Sequence, residues 1–223
     1  MANIINKISQ DTVDRYSARY KSLGYNVMTL GWGSRKQQKK RFAATIISEF
    51  FFTHKTVLDI GCGFGDYFAF LSKNNIKIKK YTGWDINPKL IFEAKKHIPE
   101  NTKNAQFKVK NILTGPLDIK NKIDIVIMLG VMNFNLKSKF NNYEYSKLCI
   151  KKAFDCAREV LVVDFLSNRL TGDYPKEDFV FYHDPCKMLE FALTLSGDVI
   201  LKHNYAPIPQ KEFMLLIFKK GKL

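Results

Sequence analysis

Two rhythms of apolar residues alternate along most of this chain. From Thr56 onward, short β-rich runs are separated by stretches in which apolar positions repeat at helical spacing. That alternation predicts an α/β fold, a mostly parallel, doubly wound sheet with helices on both faces. Residues 56–60 (TVLDI) read as the first strand, followed by a glycine turn and a helix through about Ser72. Residues 81–86 read as the second strand. Pro88 stands where a first helical turn accepts proline, and Leu90, Ile91, Ala94 and Ile98 repeat at helical spacing behind it. A third strand is expected at 105–110. The run IDIVIML at 123–129 is an apolar run typical of a central parallel strand buried on both faces. A helix over 143–158 and a strand over 159–165 follow. Residues 166–184, rich in Asp, Tyr and Gly, predict a long irregular loop of the kind that builds lids and binding walls. A helix over 185–195 then leads to strands at 198–205 and 212–219, joined at 206–211 by a short hairpin-like connection. The count is seven strands.

The first 55 residues differ from the rest. They are helical and polar, with a Gly-Trp-Gly-Ser turn at 31–34, and they are expected to pack on the core as a cap. One domain is therefore expected overall, with 1–55 as a helical cap segment and 56–223 as the core.

At 223 residues and 46% hydrophobic, the chain is long enough to bury one sizeable core. Its longest apolar stretch, 123–131, falls far short of the roughly 20 residues that span a bilayer, so no membrane partner is expected. Residues 1–10 lack the basic start and apolar run of a secretory signal, which makes the cytoplasm the expected compartment. Cys62, Cys149, Cys156 and Cys186 are scattered without metal-ligand spacing, so buried free thiols are expected and no metal site. The net charge of +15 raises the question of a nucleic-acid partner. Lysine outnumbers arginine 30 to 6 and is spread along the whole chain, which reads as compositional bias. The one dense run, RKQQKKR at 35–41, predicts the opening of a helix with a solvated basic face.

The strongest chemical signal is VLDIGCGFG at 57–65. A strand ends in Asp59 and is followed by Gly61, Gly63 and Gly65, where the chain must turn sharply and let a ligand approach its backbone. The spacing is GxGxG, without the final glycine of the dinucleotide GxGxxG pattern, which disfavours a nicotinamide oxidoreductase. Asp85 ends the second strand 20 residues beyond Gly65, where a carboxylate accepts hydrogen bonds from both hydroxyls of a ribose. The alternative for Asp85 is a helix cap ahead of Pro88.

These residues resemble the class I S-adenosylmethionine (SAM)-dependent methyltransferases, whose first motif ends a strand as acid-x-Gly-x-Gly-x-Gly and whose second strand ends in an acid. The resemblance implies a Rossmann-like fold, SAM as cofactor and S-adenosylhomocysteine (SAH) as product. It places Asp59, Gly61, Cys62, Gly63 and Gly65 beside the methionine part of SAM, Asp85 on the ribose and Ile86 on the adenine. The family's adenine-reading position falls on Asn111, with Ile112 beside it, a swap that keeps an acceptor oxygen. The segment Leu129-Gly130-Val131-Met132-Asn133-Phe134-Asn135 corresponds to the family's stretch facing the donor sulfur and the acceptor. It carries neither the Pro-Pro-aromatic of amino-methylating DNA enzymes nor the Pro-Cys of cytosine C5 enzymes. Pro185-Cys186 reads as the start of a helix. The segments LGWGSRKQQKKRF (30–42) and DFLS (164–167) resemble a group of small bacterial class I methyltransferases, some of whose relatives resemble enzymes acting on small carboxylates or precursors of surface glycans.

Methyl transfer from a sulfonium is an in-line displacement that depends on alignment, and an oxygen acceptor also needs a base. His183 is the first candidate base, with a structural hydrogen-bonding role as its alternative, and Asp164 the second. Tyr182, Asn133 and Asn135 are expected to position the acceptor. Trp32 and Arg41 are expected to close the cap over SAM, with Arg41 near its carboxylate; packing is the alternative for Trp32. The expected acceptor is a small molecule, methylated on oxygen or nitrogen, and a nucleic-acid partner is disfavoured. An RNA or protein methyltransferase and a non-catalytic SAM-binding protein remain the alternatives.

Overall fold

In the computed structural model, the described residues are 1–48, 51–99, 102–114, 122–170, 172, 176–205 and 211–219. Their strands are β1 (Thr56–Ile60), β2 (Lys80–Asp85), β3 (Ala105–Val109), β4 (Ile123–Met128), β5 (Ala157–Leu166), β6 (Val199–Lys202) and β7 (Glu212–Phe218). The helices are α1 (Ala2–Leu23), α2 (Arg35–Ala44), α3 (Asp66–Lys73), α4 (Pro88–Lys96), α5 (Asn142–Cys156) and α6 (Pro185–Leu195). The strands form one seven-stranded, mostly parallel sheet in the order β3-β2-β1-β4-β5-β7-β6, with β7 antiparallel to both of its neighbours. This is the α/β fold that the alternating pattern predicts. The chain divides into two compact units, 1–116 and 117–223.

In the first unit, β1 pairs with β2 and β2 with β3, both parallel. The face shared by Tyr81 and Phe107 is covered by α3. The Phe68 ring lies 5.1 Å from Tyr81, which lies 5.6 Å from Phe107. Helix α2 packs in turn on α3 through Phe42, whose ring meets Tyr67 at 5.1 Å and Phe70 at 5.6 Å. Ser34 caps α2 by accepting the Gln37 N–H. The basic run behaves as a solvated face, with Arg35, Lys36, Lys39 and Lys40 exposed while Gln38, Arg41 and Phe42 turn inward.

In the second unit, β4 pairs in parallel with β5, and β5, β7 and β6 continue antiparallel. Ile125 to Met128 and Phe213 to Ile217 have no exposed surface, so β4 and β7 are buried on both faces. Helix α5 contributes Cys149, Ile150 and Ala153 to this core, and α6 contributes Met188 and Ala192. The Arg158 guanidinium meets Asp124 at 2.7 Å at the start of the β4–β5 pair.

Two expectations need adjustment. β5 begins at Ala157, immediately after α5, because Ala157 already pairs with Ile123. β6 is only four residues long and half-buried throughout, as suits an edge strand. Most of the 206–211 connection lies outside the described residues, as do 171 and 173–175 of the long loop. Cys62, Cys149 and Cys156 are buried free thiols, whereas Cys186 is exposed because it sits in the solvent-facing first turn of α6. No described helix is long and apolar enough to cross a membrane.

Removing the Leu161 side chain from the fully buried centre of β5 leaves a cavity on a strand paired on both sides. Leu161→Ala is expected to lower the unfolding free energy by about 2–5 kcal/mol, measured by urea denaturation.

Candidate functional site

In the first unit, the turn after β1 is held from beneath by β2. The N–H groups of Gly61 and Cys62 both donate to the Trp84 carbonyl, at 2.7 and 3.0 Å. The Gly63 N–H donates to the Asp85 carboxylate at 3.0 Å, and the Gly65 N–H closes the turn on the Cys62 carbonyl at 2.9 Å. Gly63 and Gly65 both sit at positive φ, 53° and 77°. A Cβ at Gly65 would stand 2.7 Å from the Phe107 ring, and one at Gly63 would stand 2.9 Å from Leu30. Space and backbone conformation therefore both require glycine there. Gly65 also starts α3, so the turn ends on a helix N-terminus, where free N–H groups favour an anionic or polar ligand group.

Asp59 and Asp85 are both buried. Asp59 accepts a hydrogen bond from the Tyr81 hydroxyl. Burial pushes its carboxyl up to about 7, with the Asp85 and Asp66 charges adding to the effect and the Tyr81 bond opposing it. Asp85 is also raised by burial, against the pull of the Asn87, Gly63 and Ile86 N–H groups. Its first oxygen accepts the Asn87 N–H at 2.8 Å and its second accepts Gly63. Burial holds the Cys62 thiol well above its usual range, so it is neutral and packs as an apolar group.

Asn111 follows β3, and its side chain is engaged at both ends: the oxygen accepts the Leu113 N–H at 2.9 Å, and the amide donates to Ser9 at 2.8 Å. Ile112 beside it is buried, and Ile86 is half-buried. The Arg41 guanidinium is buried with its carbon 4.1 Å from the Trp32 ring centroid, a cation–π contact. Trp32 meets Phe42 edge-on at 6.0 Å.

In the second unit, the stretch after β4 is bound to the loop after β5. The Gly130 N–H donates to Asp164 at 2.6 Å, and Leu129 beside it is buried. The Asn133 side-chain oxygen accepts the Leu166 N–H at 3.0 Å, and its carbonyl accepts Phe181 at 3.0 Å. Asn135 exchanges bonds with the same loop: its N–H reaches the Phe179 carbonyl and its side-chain amide the Asp178 carbonyl. The buried Tyr182 hydroxyl accepts the Glu177 N–H. These groups are thus already engaged in fixing the wall that they line.

His183 departs from the expectation of an accessible loop base. It has no exposed surface, and its Nε2 lies 2.9 Å from the Ser146 hydroxyl. The rings of Phe165, Phe181 and Tyr143 pack around it at 4.8, 4.8 and 5.6 Å. Burial pushes its pKa down to about 3, which leaves the imidazole neutral but a weak proton acceptor. Its N–H and carbonyl bond to Leu166 and Asn168, so the residue holds the loop to β5.

The sequence reading missed Ser146, Tyr143 and Asn142, which brace this wall from α5, and Asn87 behind Asp85. Asn142 donates to the Phe134 carbonyl and accepts the Leu136 N–H. Asn87 was legible as the cap ahead of Pro88. The α5 residues carry no local signal, since their partners are far away in sequence. No group of His, Cys, Asp and Glu able to hold a metal occurs among the described residues.

Residues 57–143 match the family described as Methyltransferase domain. No curated protein matches the chain in sequence. Among solved structures, the chain is similar to magnesium protoporphyrin IX methyltransferase from Synechocystis PCC 6803 with bound SAH, at 16% identity and a TM-score of 0.64, covering 96% of this chain and 97% of that one. It is also similar to a SAM-dependent methyltransferase from Clostridium acetobutylicum ATCC 824 (13%, TM-score 0.61, 93% and 99% covered). An rRNA methylase from Streptococcus thermophilus is similar at 16% identity and a TM-score of 0.51, with 82% and 94% covered. At these identities the likeness to solved structures is one of fold. The matched stretch, the sheet order and the glycine motif are together similar to those of SAM-dependent methyltransferases.

The Asp59 environment generates a pH signature. Its folded pKa of about 7 lies above the ordinary aspartate value of 3.8, so its contribution to stability is full below about pH 4 and is lost as pH rises towards 7. Asp59→Asn abolishes that titration. The stability difference, variant minus wild type, is expected to rise between pH 4 and 7 and then level off, as read by urea denaturation across pH. A difference flat with pH would contradict the assignment.

Proposed function

We propose that this protein is a class I SAM-dependent methyltransferase, with SAM as cofactor and SAH as product, that transfers the methyl group to an oxygen or nitrogen of a small molecule, a carboxylate or glycan precursor being the class suggested by the resemblance of its N-terminal segment. The observation that carries the cofactor assignment is the Gly63–Asp85 bond, which brings the glycine turn and a buried carboxylate together at adjacent strand ends. On this reading, the turn from Gly61 to Gly65 and Asp59 flank the methionine part of SAM, and Asp85 holds the ribose. Ile86, Asn111 and Ile112 flank the adenine. Arg41, braced by Trp32, is assigned to the SAM carboxylate.

Acceptor contacts are assigned to Asn133, Asn135 and Tyr182 in the second unit. The density of bonds tying their stretch to the loop after β5 supports a compact, pre-organised wall, which suits a small acceptor better than a polymer. His183, a weak proton acceptor, is assigned to positioning the loop, and Asp164, itself buried and accepting the Gly130 N–H, is left as the candidate base. Among the similar structures, one is named for a porphyrin and one for rRNA. The exposed basic face of α2 is the observation that favours RNA as a second reading.

Calorimetry tests the cofactor assignment. Wild type is expected to bind SAM, and Asp85→Ala to bind it at least about a hundredfold more weakly, the loss of two hydrogen bonds to a charged group at roughly 1.5–3 kcal/mol each. Near-native affinity in a folded variant would contradict the assignment. With label carried on the SAM methyl, transfer is expected to small-molecule fractions. RNA is expected to bind only weakly, with steep salt dependence and no labelled product; labelled RNA would establish the second reading.

A further inference from the structure

Apolar burial does little to hold α1. Ile5 and Ile8 are the buried residues among its 22. Arg19 bonds the Thr29 and Met28 carbonyls and the Tyr20 ring lies 5.8 Å from Phe64, and a row of polar contacts runs along one face, where Ser9, Val13, Ser17 and Tyr20 succeed one another at steps of four, four and three. Each of them meets the chain that follows β2 or β3. Ser9 accepts from the Asn111 amide at 2.8 Å. The Val13 carbonyl and the Ser17 hydroxyl accept from the Asn87 amide at 3.0 and 3.1 Å. The Tyr20 hydroxyl bonds to Glu93 on α4.

The two asparagines divide their side chains in the same way. The Asn87 oxygen accepts the Lys89 N–H and caps α4, while its amide grips α1. The Asn111 oxygen accepts the Leu113 N–H and folds its own turn, while its amide grips α1. Asn87 is 1% exposed, and its own N–H is held by the Asp85 carboxylate. Helix α1 is therefore anchored on the two strand-end turns assigned to the adenosyl group, through the residue that orients Asp85. Tyr16, on the same face, is raised by burial; Arg15 opposes this, and the Asp85 charge adds to it, which brings the helix within electrostatic reach of the ribose-binding carboxylate.

We propose that α1 is a cofactor-gated clamp, with Asn87 and Asn111 as positioning residues that couple its docking to binding of the adenosyl group. The proposal rests on the SAM assignment of the Asp85 site. Where a helix is held largely through polar bonds to two turns, a ligand that fixes both turns shifts it towards docked. Linkage makes the effect reciprocal: whatever SAH adds to α1 docking, docked α1 adds to SAH affinity.

The test is hydrogen exchange of the full chain with and without saturating SAH, paired with calorimetry. In wild type, amides of residues 9–20 are expected to exchange more slowly with SAH present. The double variant S9A/S17A removes two acceptors from α1 and touches neither turn, while alanine favours the helix itself. It is expected to lose most of the SAH-dependent protection and to bind SAH about tenfold more weakly, the scale of one to two hydrogen bonds. S9T/S17T, which keeps both hydroxyls, is expected to restore both readouts. Asn87→Asp keeps the α4 cap and removes both donors, and should behave as the alanine pair does. If wild type binds SAH but α1 exchange is unchanged, or if S9A/S17A binds as wild type does, the clamp is overturned and the SAM assignment stands. If wild type binds no SAH, the SAM assignment itself fails.

Discussion

The hydrogen bond from the Gly63 N–H to the Asp85 carboxylate joins everything that the first unit does. It fixes a turn whose glycines exclude side chains to a carboxylate at the end of the neighbouring strand. Parallel pairing of β1 with β2 places those two ends side by side, and the Trp84 carbonyl secures the turn from below through Gly61 and Cys62. The same carboxylate holds Asn87, which caps α4 and reaches α1. One polar contact thus links the turn, the second strand and the N-terminal helix.

The electrostatics of that region run against the charge of the whole chain. The net charge is +15, yet burial raises the carboxyls of both Asp59 and Asp85, and the Asp85 and Asp66 charges add to the effect at Asp59. The abundant lysines, by contrast, are largely surface groups, as on the outer face of α2.

The features visible in the sequence share a local cause. Strands β1, β4 and β7 are apolar runs because both of their faces are buried, and the glycine turn is legible because no other residue fits its backbone. Asp85 was readable from its distance to that turn. The docking of α1 was not, because Ser9, Ser17, Asn87 and Asn111 are ordinary polar residues whose partners lie 70 to 102 positions away. His183 misled for a related reason: a histidine in a polar loop suggests exposure, but here three aromatic rings from different parts of the second unit enclose it. Element ends shifted by two residues at Ala157, where pairing overrode propensity, and by three at the end of β6.

The account is tested most directly by a crystal structure of the protein grown with SAH. It predicts both ribose hydroxyls within hydrogen-bonding distance of the Asp85 carboxylate and the homocysteine moiety against the backbone of Gly61 to Gly65. A nucleoside bound elsewhere, with that turn closed by side chains, would contradict it.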